Sequence, residues 1–232
     1  VHFLVNSCGS ASRPPIYADE GSLPQAQLLE PTMATRRPRG LIAHGWLGRA
    51  GQFRALALRL AEAGFDAAIL SYPTMFGSFE RAVELARRAL DSGSQARLHL
   101  VGFSLGGLVM RALAAERPAG LVSLLLVGTP NAGSPIADLV GRFAPTPALR
   151  RLSTTAPALP TVDGILVGCI AGSRRGPMGL LFGEENDGRV AVSSALAISH
   201  HDARTIAVGH RALPFSAETA TLALRFLRDG HF

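Results

Sequence analysis

One run, Leu121 to Val127, reads Leu-Val-Ser-Leu-Leu-Leu-Val and leaves the chain few ways to fold. A strand with one wet face alternates apolar and polar residues, so a strand that is aliphatic at nearly every position must be covered on both faces. That is the position of a central strand in a parallel sheet, and the segments around it repeat an alternation of short apolar runs and amphipathic stretches. Gly40 to Ala43 is an apolar run ending in His44-Gly45, and in Ala50 to Ala63 the residues Phe53, Leu56, Leu60 and Ala63 fall at helical spacing. Ala67 to Ser71 and Arg97 to Gly102 predict further strands. Helices are expected over Ser78 to Leu90, with Phe79, Val83, Ala86 and Leu90 inward, and over Leu105 to Glu116, stopped by Pro118. Ile165 to Ala171 and Arg204 to Val208 predict the last strands, and Ala217 to Arg228 a closing helix with Leu222 and Phe226 inward. The expected fold class is α/β, a mainly parallel central sheet flanked by helices.

A chain of 232 residues suits one domain with a sizeable core, so residues 1–232 are expected to form a single domain. Residues 1–38, Pro- and Ser-rich from Ser10 onward, are expected to be an N-terminal extension or edge segment. Between Thr129 and Pro160 lie Pro130, Pro135, Pro145, Pro147, Pro157 and Pro160. Residues 131–160 therefore leave room for one helix and a small lid or flap, not a large cap. A composition of 47% hydrophobic and 17% charged residues excludes a generally disordered chain. No apolar run reaches the roughly 18 residues that cross a bilayer, so a soluble protein is expected. The net charge of +6 comes from arginine alone, since every one of the 23 Lys+Arg positions is Arg. Arginine in place of lysine in an Ala-rich chain reads as codon bias. The arginines are scattered among acidic residues, so no nucleic-acid partner is expected, whereas transient contact with an anionic lipid surface stays open. A monomer is expected.

Cys8 and Cys169 have no metal-ligand spacing; they read as two free thiols, or as a disulfide if the protein is exported. Val5-Asn6-Ser7-Cys8 loosely resembles a bacterial lipobox, which would make residues 1–12 the remnant of a leader; a first strand, Val1 to Val5, explains the same residues. The compartment therefore stays open.

The chemistry begins at Gly102-Phe103-Ser104-Leu105-Gly106, set between a predicted strand and a predicted helix. A nucleophile elbow needs a serine at the tip of a strained strand-to-helix turn and small residues beside it, where side chains would clash. The Leu105 amide, at the positive end of the helix, is one candidate oxyanion donor. A second is expected after the earlier strand, in His44-Gly45-Trp46-Leu47-Gly48, where the Trp46 amide is the candidate and His44 packs at the strand end. Serine alone is a poor nucleophile and needs an imidazole, itself oriented by a carboxylate. In a strand-to-helix elbow fold of this kind the chain order is Ser, then acid, then His. Asp187, in Asn186-Asp187-Gly188, and His210, in Val208-Gly209-His210, lie in loops after the two last strands and fit that order. Glu184, Glu185 and Asp202 compete as the acid. His200 and His201 compete as the base, but precede the last strand, at the wrong end of it.

These residues resemble the lipase and esterase branch of the α/β-hydrolases, the small bacterial triacylglycerol lipases in particular. The likeness spans roughly Leu41 to Leu227. It includes the oxyanion-type loop at His44 to Gly48, a Gly-x-Ser-x-Gly-Gly elbow at Gly102 to Gly107, and Gly128 to Ser134, which is similar to the segment after the family's sixth strand. The resemblance implies catalytic Ser104, Asp187 and His210, with Trp46 and Leu105 as oxyanion donors, and no metal or cofactor. It also implies a small-molecule or lipid ester as substrate. Phe103 stands where His is common in such lipases, and no cluster of Asp residues suggests the calcium site of some relatives. A short flap, with apolar residues such as Phe76, Phe79, Leu180, Leu181 and Phe182, points to short or medium acyl chains, although the same residues could equally be core; Trp46 is a further candidate for an acyl-pocket wall. An acyltransferase or thioesterase would use the same triad. A binding module on this scaffold would carry a decayed one.

Overall fold

A computed structural model describes residues 36–90 and 96–232. Six strands, β1 (Arg39–Ala43), β2 (Asp66–Leu70), β3 (Leu98–Phe103), β4 (Leu121–Val127), β5 (Leu166–Gly172) and β6 (Asp202–Ile206), form one sheet in the order β2-β1-β3-β4-β5-β6. Every neighbouring pair is parallel. The helices are α1 (Arg54–Glu62), α2 (Phe79–Arg88), α3 (Leu105–Ala115), α4 (Pro135–Phe143), α5 (Pro147–Leu152), α6 (Val192–Ala195) and α7 (Ala217–Asp229).

The period of two along the strands sorts the core into two layers. Leu41, Leu98, Leu100, Leu124, Leu126, Val167 and Cys169 pack against Ala82, Val83 and Ala86 of α2 and Val109, Met110 and Leu113 of α3. Ile42, Val101, Phe103, Leu125, Val127 and Ile170 pack on the other face against Leu56 and Leu60 of α1 and Ala223, Phe226 and Leu227 of α7. The strand β4, apolar toward both layers, has its expected bounds and a central place. The edge strand β2 alternates exposed and covered positions instead.

The sequence reading is corrected in three segments that shape the fold. Ala50 to Ala63 is a short 3-10 turn, Ala50–Phe53, followed by α1, and Ala63 is exposed at the helix end ahead of Gly64, whose φ of 90° stops it. The last strand starts at Asp202, which pairs with Gly168, and ends at Ile206. Val208 has left the ladder, its amide turned back on the Ile206 carbonyl at 2.7 Å, which brings the chain around to His210. Residues 131–160 hold two short helices, α4 and α5, where one was expected. Ser134 and Thr146 cap them, each followed by a proline suited to a first helical turn.

Cys169 is a buried thiol whose pKa burial pushes up to about 12; Cys8, the Val1 to Val5 strand and the rest of residues 1–35 lie outside the described residues. Among the described residues, no helix is long and apolar enough to cross a membrane.

His99, in the middle of the sheet, is 2% exposed, sharing a 2.8 Å hydrogen bond with Ser123 Oγ and standing edge-on to Phe65. Burial, and secondarily the Arg97 charge, push its pKa from 6.5 down to about 4. Below pH 6.5 the unfolded chain takes up a proton that the folded chain refuses until about pH 4. The contribution of the neutral ring is therefore complete above pH 6.5 and lost between 6.5 and 4, a difference of up to about 3 kcal/mol. Melting curves across that window should show a steeper fall for wild type than for His99→Asn; parallel curves would contradict a neutral buried ring.

Candidate active site

The sheet reverses its winding at β1. The chain steps from β1 out to β2, then returns to place β3 on the other side, so the loops leaving β1 and β3 diverge at their carboxyl ends. Such a switch point opens a crevice for ligands. His44 to Gly48 leaves β1 there, and Ser104 lies between β3 and α3 there.

Ser104 has φ 53° and ψ −121°, a conformation that a residue with a side chain adopts only where its surroundings enforce it. What enforces it is the closeness of the packing around the turn. A Cβ on Gly106 would lie 2.4 Å from the carbonyl oxygens of Ala43 and His44, and one on Gly107 would lie 1.8 Å from Thr129 Oγ1. Only glycine lets α3 start this close to the end of β1.

His210 Nε2 lies 3.0 Å from Ser104 Oγ, and His210 Nδ1 lies 2.7 Å from Asp187 Oδ2. All three residues are buried. A carboxylate only accepts, so Nδ1 carries the proton and Nε2 is left to accept from the serine hydroxyl. The other Asp187 oxygen accepts from the amides of Arg189 at 3.0 Å and Val190 at 2.8 Å, and the Asp187 carbonyl accepts from the His210 amide at 2.9 Å. Asp187 is thus held by its own turn, and holds His210 by both main chain and side chain. Phe103 lies against the imidazole, ring centroids 4.9 Å apart, which gives the residue at that departure from the usual lipase elbow a packing role.

The competing residues lie elsewhere. Glu184 and Glu185 are exposed. Asp202 accepts from the Phe232 amide and pairs with Arg204. His201 accepts from the Val167 amide at the opposite end of the sheet, and His200 bonds the Ile198 carbonyl. His44 is buried at the end of β1, where its Nδ1 meets the Gly45 carbonyl at 3.0 Å and its ring stacks on Tyr72; burial holds its pKa below the ordinary value.

The amides of Trp46 and Leu105 have no hydrogen-bond partner among the described residues. The loop bearing Trp46 is closed by a 2.9 Å bond from the Gly48 amide to the Gly45 carbonyl, with Leu47 at φ 56°. Three supports were missed in the sequence. Tyr72 donates its hydroxyl to the His44 carbonyl, and Thr74 Oγ1 accepts from the Leu47 amide at 3.0 Å. Asn186, fully buried, donates to the Gly179 and Glu184 carbonyls and accepts from the Gly188 amide. The signal for Asn186 was its place beside Asp187-Gly188. Tyr72 and Thr74 could have been sought just beyond β2, beside the loop they brace.

Ser104 and His210 border a cavity of about 640 Å³ whose walls include Trp46, Ile136, Ala137 and Val140 of α4, and Leu149 and Leu152 of α5. Trp46 is one of these walls, while the apolar residues of the flap are not. Phe76 and Leu180 are exposed, Phe182 packs with Ile136 and Ala191, and Phe79 lies under Arg151; none of these lines the cavity. No cluster of three metal-ligating side chains occurs among the described residues.

The profile of the α/β hydrolase fold family matches residues 41–200, and the chain belongs to that family. It is 33% identical over 91 residues to a triacylglycerol lipase of Pseudarthrobacter phenanthrenivorans, a stretch that covers 39% of this chain and 28% of that one. A triacylglycerol lipase of Burkholderia plantarii is similar to the same extent, with 25% of its length covered. The chain thus spans about a quarter of the length of the curated relatives it matches. Bacillus licheniformis lipase BlEst2 in its propeptide form shares the fold, with a TM-score of 0.68 at 19% identity, over 82% of this chain and 50% of that one.

The elbow packing is directly testable. Gly106→Ala should lower the melting temperature by roughly 5 °C through overpacking. Gly51→Ala, where an added Cβ meets nothing within 4 Å, should leave it in place. Equal melting of both variants would mean that the close approach at Gly106 is not constraining.

Proposed function

We propose that the protein is a serine carboxylic-ester hydrolase that forms an acyl-enzyme on Ser104 and takes esters of short to medium acyl chains. The observation that carries the reading is the unbroken chain of hydrogen bonds from Asp187 through His210 to Ser104, at the edge of an apolar cavity.

In the first half-reaction His210 Nε2 takes the Ser104 proton as Oγ attacks the ester carbonyl. The oxygen becomes an oxyanion held by the Trp46 and Leu105 amides, both free to donate and one at the positive end of α3. The tetrahedral intermediate then breaks its bond to the alcohol oxygen, which receives the proton from His210 and leaves as the free alcohol. In the second half-reaction water attacks the acyl-Ser104 ester, gives its proton to His210, and the carboxylic acid departs as Oγ is reprotonated. Asp187 stays ionised throughout; it fixes the tautomer and steadies the imidazolium. The acyl chain lies along Ile136, Val140, Leu149 and Leu152, apolar surface supplied by α4 and α5. The lipase names of the relatives in sequence agree with this reading.

The test is hydrolysis of p-nitrophenyl esters of graded acyl length. Wild type should turn over the short and medium members best. Ser104→Ala should lose about 10³-fold or more in kcat with its melting temperature nearly unchanged, and Asp187→Asn should lose a comparable factor through the wrong tautomer. Ser104→Ala retaining more than a few per cent of turnover would reject the nucleophile; full activity of Asp187→Asn would reject the acid.

A further inference from the structure

A second cavity, of about 680 Å³, adjoins the first; Met178, Arg189, His210, Arg211 and Phe215 line both. Ser104 borders only the first, and Asp187 only the second. His210 therefore stands where the two meet.

The second cavity is strongly one-signed. Its ionisable lining consists of Arg174, Arg175, Arg189 and Arg211 with Asp187 and His210. The single carboxylate is already taken, by His210 and by the Arg189 and Val190 amides. None of the four guanidinium groups has an ion pair among the described residues, and Arg175 reaches only the Glu184 carbonyl, at 3.2 Å. Arg87, Arg88, Arg204 and Arg228, by comparison, each pair with a carboxylate. Arg189 is half-buried, and burial first, then the charge of Arg211, hold its guanidinium below its ordinary value. Arg174, Arg175 and Arg211 are exposed, but the charge of Arg211 acts on the half-buried Arg189, and an anion between the two would relieve that repulsion.

The mechanism says which part of a substrate would meet them. His210 gives its proton to the leaving alcohol, so the alcohol half lies on the His210 side and the acyl chain against α4 and α5. From this juxtaposition, and resting on the hydrolase reading above, we infer that the preferred substrates are esters whose alcohol carries an anionic group, a phosphate or carboxylate, bound by Arg189 and Arg211 with Arg174 and Arg175 around them. Planar guanidinium forks match the oxygens of either anion. Arginines scattered in sequence, at 174, 175, 189 and 211, are gathered by the fold onto the alcohol side of the site.

Two soluble substrates differing only in the anion test this: the octanoyl esters of glycerol and of glycerol 3-phosphate, each below its micellar concentration. The octanoyl ester of glycolate serves as the carboxylate arm. In wild type, kcat/KM for the phosphate ester should exceed that for the glycerol ester by about tenfold or more at low salt, and the ratio should shrink as salt is added. The ratio should fall toward one in Arg189→Gln/Arg211→Gln and be kept only in part in Arg211→Lys, which preserves the charge but not the fork; Arg211→Gln alone replaces the double variant if that fails to fold. A wild-type ratio near one, with both esters hydrolysed, overturns the inference while leaving the hydrolase reading standing. So does a ratio that the arginine variants do not change, or a preference reproduced when the neutral ester is offered in anionic vesicles, which would assign the arginines to a lipid surface. If no ester is turned over, the hydrolase reading fails, and calorimetric binding to Ser104→Ala decides the subsite by itself. Binding of octanoyl glycerol 3-phosphate about tenfold tighter than octanoyl glycerol, with weaker competition by glycerol 3-phosphate and by inorganic phosphate, supports it; equal affinities overturn it.

Discussion

The arrangement of the site depends on one close approach, the first turn of α3 against the end of β1. Gly106 has no side chain to hold the Ala43 and His44 carbonyls away, and Gly107 none to fend off Thr129. With a larger residue at either position the helix would start further out. Ser104 would relax from its strained φ, and the Leu105 amide would part from the loop that carries Trp46. Backbone contact at these glycines is thus what brings the elbow and the His44 to Gly48 loop to a common point.

The remaining pieces follow from a parallel sheet. Parallel strands all deliver their carboxyl ends to the same edge, so loops far apart in sequence meet there. Asp187 arrives after β5 and His210 after β6, and the short turn at Ile206 to Val208 is what points the latter inward. Because both faces of the sheet are covered by helices, the edge is where a polar catalytic group can be buried and still face an opening. The apolar wall comes from α4 and α5, and the arginines line the adjoining cavity.

The sequence made the sheet legible where burial was extreme. Leu121 to Val127 has the bounds its aliphatic run implies, and Gly102 to Gly107 declared the elbow because sterics leave so few residue types that fit it. Ser104, Asp187 and His210 are hydrogen-bonded to one another as the chain order implied. Less constrained segments misled. Arg204 to Val208 reads as a strand, yet the ladder begins two residues earlier, because pairing with Gly168 and not local pattern sets the register. Nor did the sequence tell whether Phe76, Phe79, Leu180, Leu181 and Phe182 belong to a flap or to the core. Residues in a proline-rich connection carry no periodicity that tells which of them will turn inward, and Ile136, Val140, Leu149 and Leu152 do so only through the packing of α4 on α5. Tyr72, Thr74 and the arginine cluster rest on contacts between distant segments, to which a local pattern is blind.

The most direct test is covalent. A fluorophosphonate reacts readily with a serine that a neighbouring base activates, here an imidazole, and whose oxyanion pocket receives the phosphoryl oxygen. Mass spectrometry of the folded protein after such treatment should find one equivalent, on the peptide containing Ser104, and none after His210→Ala. A folded protein that takes no label, or takes it on another serine, would contradict Ser104 as an activated nucleophile.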